Sequence, residues 1–285
     1  MRRRPWLVPF AVLLVAGAAA CGDDDGETST GGPASTEPAP VGQIEYPAGA
    51  DDVVIEIASE GGLAGPQAVS TPPQLVVIGD GRLVQPGPTT MQYPGALLPN
   101  LQERSISADG IQQLLGLADE HGLLADVDYE RPDNVMDAPD TVVTISAGGR
   151  TYEHRAYALG VGAGDQGEET DPARANLQAF VEAATGFASS QDPSLGPEQP
   201  YQAEAYLIRS VPDEPAPTPD GLEPRVVDWP ADASVRLADA AECAEVPAGE
   251  VGDVLGSADE LTRFVDAGMT YAVTAQPVLP GNGCD

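Results

Sequence analysis

Asp126, Asp128, Glu130 and Asp137 stand at positions 1, 3, 5 and 12 of one stretch, which are ligand positions of an EF-hand loop. Hard divalent cations take oxygen donors, and clustered carboxylates supply them. The stretch departs from the pattern elsewhere. Arg131 occupies the sixth position, where the turn needs Gly; Pro132 follows it, and Asp137 replaces the bidentate Glu. A solvated acidic loop is the default reading, with a looser Ca2+ site at these four residues as the alternative. Ca2+ is the only cofactor the residues suggest. A second pattern, Gly162 to Gly167, matches G-x-G-x-x-G between a strand and a helix. The helix signal starts only at Asp171-Pro172, and Glu168, Glu169 and Asp171 would repel a pyrophosphate. A flexible loop is the better reading, and no nucleotide site is expected.

Nucleophilic and general-base chemistry is thinly supplied. His121 and His154 are the only histidines, and neither falls in a G-x-S-x-G, H-E-x-x-H or close Cys–His arrangement. Carboxylate-only catalysis, as in a cell-envelope hydrolase, remains open among so many acids. Charge narrows the partners further. The chain carries 45 acidic and 13 basic residues, a net −32, and every basic residue is Arg. A body this acidic does not hold a phosphate backbone, which excludes nucleic acid.

The amino-terminal stretch reads as an address. Arg2 to Arg4 are followed by the apolar run Leu7–Val15 and by small residues, in the order of an export signal. The run is short for a spanning helix. Ala18-Ala19-Ala20-Cys21 resembles a bacterial lipobox. That resemblance implies cleavage before Cys21, a diacylglycerol on its sulfur, a lipid-bearing first residue in the mature chain, and anchorage at the outer face of the cytoplasmic membrane. Arg3-Arg4-Pro5-Trp6-Leu7 also resembles a twin-arginine export signal, so the route across the membrane stays open between two systems. Removal of residues 1–20 takes three Arg and no acid, leaving 10 Arg against 45 acids, or −35. An anionic membrane would repel that body, so attachment falls to the lipid. Residues 21–47 then read as a lipidated Cys and a disordered acidic tether, rich in Gly, Ser, Thr, Pro and Asp.

Cys243 and Cys284 are the only cysteines after Cys21. Their wide spacing is unlike a C-x-x-C redox pair, and no His stands near either. In an exported chain they are expected to form a structural disulfide.

The remaining pattern describes the scaffold. Val53, Ile55 and Ile57 alternate with their neighbours as in a strand. Leu75–Ile78 and Arg82–Val84 flank Asp80-Gly81, a type I′ hairpin signal. A helix is capped by Ser107 and carries Ile111, Leu114, Leu115 and Ala118 on one face. If Gly148-Gly149 is a turn, Ile145 faces Tyr152 and Val143 faces His154, placing His154 on an apolar sheet face. A second helix opens at Asp171-Pro172 with Ala173, Leu177, Phe180, Val181 and Ala184 inward. Met91, Tyr93 and the Pro-Gly segment 86–99 make either a binding loop or, as the better reading, a cover packed over the sheet through Tyr93 and Leu97. Strands are expected at Tyr201–Ile208, near Arg225–Trp229 and at 269–276. A helix is expected from the capping box Ser257-Ala258-Asp259-Glu260, with Leu261, Phe264 and Val265 inward.

The expected fold is α+β, an antiparallel sheet built from hairpins with helices on one face. Two lobes follow, a larger one at 48–188 and a smaller one at 189–285. The lipobox, the acidic Gly22-Asp23-Asp24-Asp25 tether and the all-Arg usage together resemble uncharacterised surface lipoproteins of high-GC actinobacteria. The resemblance transfers no functional residue. A well-patterned fold with no recognisable catalytic constellation points to a membrane-anchored module that binds or scaffolds an envelope protein or ligand, with a carboxylate-using hydrolase or a Ca2+-binding surface protein as alternatives.

Overall fold

A computed structural model describes residues 42–62, 71–133, 135–161, 171–214 and 221–284. Cys21 and the Gly162–Gly167 loop lie outside the described residues. The chain is α+β. In its first part, strands β1 (Val53–Gly61), β2 (Leu75–Ile78), β3 (Arg82–Pro86) and β4 (Leu101–Ser105) precede helix α1 (Ala108–Glu120). The hairpin β5 (Pro139–Ala147) and β6 (Arg150–Tyr157) leads to helix α2 (Pro172–Ala188) and the short β7 (Gln199–Pro200). These strands form a seven-stranded sheet in the order β6-β5-β1-β2-β3-β4-β7, antiparallel at every junction. The sheet therefore reaches past residue 188 to take in β7.

The second part contains β8 (Ala205–Pro212), β9 (Val226–Asp228), a 3-10 turn at Leu237–Asp239, β10 (Ala244–Pro247), α3 (Ala248–Gly256), β11 (Arg263–Asp266) and β12 (Met269–Pro277). Its five-stranded sheet runs β10-β8-β12-β11-β9, antiparallel except for the parallel pair β9–β11. Both sheets belong to one unit, Pro38–Asp285.

The hairpin at Gly148-Gly149 forms with the anticipated register, Ile145 opposite Tyr152 and Val143 opposite His154. Both glycines have positive φ, 58° and 71°, as a type I′ turn requires. The Asp80-Gly81 turn differs. Ile78 pairs with Arg82, so the loop has three residues, and within it only Gly81 has positive φ. That is the three-residue hairpin ending in a left-handed Gly, in place of type I′.

Helices α1 and α2 cover one face of the large sheet. Leu114, Leu115, Leu177 and Phe180 are buried against Val54, Ile55, Ile57, Leu75, Val77 and Leu83. Burying a side chain of this size contributes about 1.5–3 kcal/mol, so this cluster dominates the stability of the first part. The α1 cap is as expected, with the Ser107 hydroxyl accepting from the Gly110 amide at 3.3 Å. In α2 the buried stripe starts with Arg174, while Ala173 is only half-buried. A register slip between Val53 and Ile55 leaves Val54 buried with Ile55 on the helix side. Val53 then faces the other side of the sheet, against a cluster of Val76, Ile78, Val84, Leu101 and Leu279. Strict alternation of Val53 with Ile55 is therefore broken by a β-bulge. Ile44 and Tyr46 also pack against the helix-covered core, and Ile44 exchanges two hydrogen bonds with the Gln112 side chain. The fold thus begins before Pro47.

The helix expected from Ser257 is replaced by a strand. Ser257 is the C-cap of α3, and the following turn is shaped by Asp259, whose carboxylate accepts from the Leu261 amide and the Thr262 hydroxyl. Phe264 and Asp266 then alternate with Arg263 and Val265 at period two, inside β11. The real helix, α3, turns Val251 and Leu255 inward but holds Gly249 and Gly252, whose low helix propensity masks the pattern. β8 likewise starts at Ala205, later than Tyr201.

Asp266 pairs with Met269 across the two-residue turn Ala267-Gly268, where φ is 51° and 79°. A left-handed Ala is strained relative to Asn in this turn. Ala267→Asn should raise the unfolding free energy by about 0.5–1 kcal/mol. Urea denaturation checks this; an unchanged or lowered midpoint would count against the turn assignment.

Candidate functional site

The acidic loop after α1 is laid out as an extended cover. Tyr129 turns inward and its hydroxyl meets Nδ1 of His154 at 2.8 Å. The Glu130 carbonyl accepts from the Arg174 guanidinium at 3.1 Å, and Arg131 stacks 3.7 Å above the Tyr157 ring. These anchors leave Asp126, Asp128, Glu130 and Asp137 all exposed. The Asp126 side chain is 85% exposed and pairs with Arg150 at 3.4 Å. The four carboxylates are not brought together. Among the described residues, no group of three or more His, Cys, Asp or Glu is placed to hold a metal ion. Arg131, at the sixth position where an EF-hand turns on Gly, is engaged with the Tyr157 ring.

His154 is buried and fully engaged. Its Nε2 lies 2.8 Å from the Leu123 carbonyl, which can only accept. Nε2 therefore donates, and Nδ1 accepts from the Tyr129 hydroxyl. Burial lowers the His154 pKa below 6.5, against the opposing pull of the Leu123 carbonyl and Asp126. Burial also pushes the Tyr129 hydroxyl up to about 12. The pair is a neutral hydrogen-bonded lock between the loop and β6, with neither member placed as a proton shuttle. Two buried arginines act similarly. Arg104 donates to the carbonyls of Ala188, Ser190 and Gly196, closing the C-terminus of α2. Arg174 donates to the carbonyls of Glu130, Tyr157 and Ala158.

Loop 86–99 divides between the two expectations. Met91 is fully exposed and Tyr93 is 57% exposed, so Tyr93 does not cover the sheet. Leu97 packs against the core of the second sheet instead, and its amide bonds the Ala258 carbonyl at 3.0 Å. A hollow of about 360 Å³ lies at the base of this loop, lined by Ala96, Leu97, Val273, Ala275 and neighbours.

A larger cleft of about 480 Å³ opens where segments of both sheets meet. Its walls are Ala50 and Asp51 before β1, Arg82 of β3, Tyr201, Gln202 and Glu204 before β8, Ala205 and Glu245 within the second sheet, and residues 278–282 after β12. Arg82 is committed at its base, bonding Asp80 at 2.8 Å and the Ala50 carbonyl at 2.6 Å. The Tyr201 hydroxyl donates to the Val278 carbonyl at 2.9 Å. Burial raises the Tyr201 pKa; Arg82 opposes this, and Glu103 and Glu204 add to it, so the hydroxyl stays protonated. The side chains of Asp51, Glu204 and Glu245 make no hydrogen bond or ion pair among the described residues. Among the described residues, no His, Cys, Ser or Lys lines the cleft.

No known protein family, curated protein or solved structure matches this chain. The site must therefore be read from its own geometry. None of the cleft residues was singled out from the sequence, because they come from separated segments with no local motif. The one sequence-level pointer beside the cleft is the cysteine pair: Cys243 and Cys284 are bonded, with Cα atoms 5.5 Å apart and a sequence separation of 41.

Two measurements check these assignments. The unfolded chain takes up a proton on His154 near pH 6.5 and the folded chain resists it. This group's contribution is thus complete above that pH and declines as pH falls toward the lower folded value. The stability advantage of wild type over His154→Gln should shrink between about pH 7.5 and about pH 5; a constant gap would mean the ring titrates freely in the fold. For the acidic loop, millimolar Ca2+ should leave the melting midpoint unchanged. A rise abolished by Asp126→Asn would establish a cation site in the loop.

Proposed function

We propose that this is an exported lipoprotein, anchored through Cys21 at the outer face of the cytoplasmic membrane, whose folded part is a binding module. The observation that carries the binding reading is the cleft of about 480 Å³, a size suited to a small ligand or a side chain of a partner. Polar groups converge on it from separated segments, and among the described residues no Ser, Cys, Lys or His lines it. Its uncommitted carboxylates, Asp51, Glu204 and Glu245, favour a neutral or cationic ligand over an anion. The anchoring reading is supported by the order of charges, apolar run and small residues before Cys21, and by an acidic body that an anionic membrane would repel. Among the described residues no helix is long and apolar enough to cross a membrane. The resemblance to actinobacterial surface lipoproteins agrees with this reading.

Two experiments test it separately. Cys21→Ala should abolish incorporation of labelled palmitate and release the protein to the medium; retention on membranes would sink the lipid anchor. A fragment screen by NMR should give hits whose shift changes converge on Tyr201, Glu204, Glu245 and Asn282. Hits scattered over the surface, or turnover on a panel of ester and glycoside substrates, would overturn a binding role for the cleft.

A further inference from the structure

One wall of the cleft is a strap, residues 278–284, and its two halves are held differently. The proximal half is built into the fold. The Val278 amide bonds the Ala205 carbonyl at 2.9 Å, its carbonyl accepts from Tyr201, and Leu279 is buried among Val76, Ile78, Val84 and Leu101. The distal half is not. Among the described residues, the hydrogen bond made by residues 280–284 is internal, from the Asn282 amide to the Leu279 carbonyl at 3.0 Å. Gly281 passes close to Val53, where an added Cβ would sit 3.0 Å from Cγ2. Beyond that graze, what returns the strap to the second sheet is its bond to Cys243, beside β10. Pro280, Gly281 and Asn282 all line the cleft.

We propose that the Cys243–Cys284 bond is a redox latch on this wall: its reduction opens the cleft while leaving both sheets intact. The inference rests on reading the cleft as a binding site. Cys284 is an exposed residue and Cys243 a half-buried one, so attack is taken to fall on Cys284. The co-reactant is a dithiol. One of its thiolates attacks the Cys284 sulfur and displaces the Cys243 thiolate. Its second thiol then resolves the mixed disulfide, releasing Cys284. Two electrons pass to the cysteine pair, both cysteines end as thiols, and the dithiol leaves as its own disulfide. The distal strap then has no covalent return, and its remaining contacts are those of a fraying segment.

The test uses the full chain, oxidised and after treatment with a small dithiol, followed by amide exchange and by relaxation from a neutral gadolinium chelate. Reduction should speed exchange at Asn282 by about tenfold or more, while Val278 keeps its protection. Relaxation of the Tyr201 ring should increase as the wall opens. A Cys243→Ser/Cys284→Ser variant should match the reduced protein with or without dithiol; should it fail to fold, reduction of the native chain still decides. Unchanged exchange at Asn282, or an unchanged Tyr201 signal, overturns the latch. Loss of protection at Val278 together with Asn282 also overturns it, because the bond would then hold the fold and not one wall. None of these readouts needs a ligand, so failure of the latch and failure of the binding role are seen independently.

Discussion

The central strands of the large sheet must be dry on both faces, and much of the architecture follows from that demand. All four residues of β2 are buried. Leu75 and Val77 look toward the helices, while Val76 and Ile78 look the other way. A hairpin sheet with helices on one side leaves that second face wet. Here it is covered by Leu279 and Tyr201, which come from the segments entering and leaving the second sheet. The second sheet is therefore drawn against the first by apolar burial, and the polar edges of the same segments become the rim of the cleft.

Polar fastening is done largely by arginine and by side chains that bond to the backbone. Arg104 and Arg174 each hold several carbonyls, a geometry that suits a planar fork with donors on both sides. Asp266 plays the complementary part in the second sheet: buried, it accepts from the Leu237 amide at 2.8 Å and from Arg236. Removing one partner from such an arrangement leaves a buried polar group unsatisfied, which costs more than the bond itself contributes. In a chain with so large an acidic excess, surface charge works against compactness, and these internal fasteners offset it.

Legibility followed locality. The Gly148-Gly149 hairpin, the Ser107 cap and the Asp171-Pro172 helix start could be read because each depends on a few adjacent residues. The capping box at Ser257 misled because its Ser and Asp serve a helix end and a turn, and because glycines hide α3 just before it. The pairing of Cys243 with Cys284 was readable by elimination, but its place beside a cleft was not. Asp51, Arg82, Tyr201 and Glu245 become neighbours only through sheet pairing across long stretches of chain, and no spacing rule connects them. The carboxylates from Asp126 to Asp137 show the converse: they are close in sequence at ligand-like spacing, yet all four side chains lie exposed.

The burial of Leu279 also sets an order of events. β2 and β3 are close in sequence and able to pair early, but Leu279, which completes the cover of their second face, lies beyond the whole second sheet. Closure of a contact so distant in sequence is slow, and the exposed face is adhesive while it waits. For a chain that emerges from one end, the first-made sheet would be the last to be finished. Its vulnerable interval should therefore lengthen with any delay in the arrival of β12, making the rate of delivery, as well as final stability, a determinant of how much protein survives to the native state.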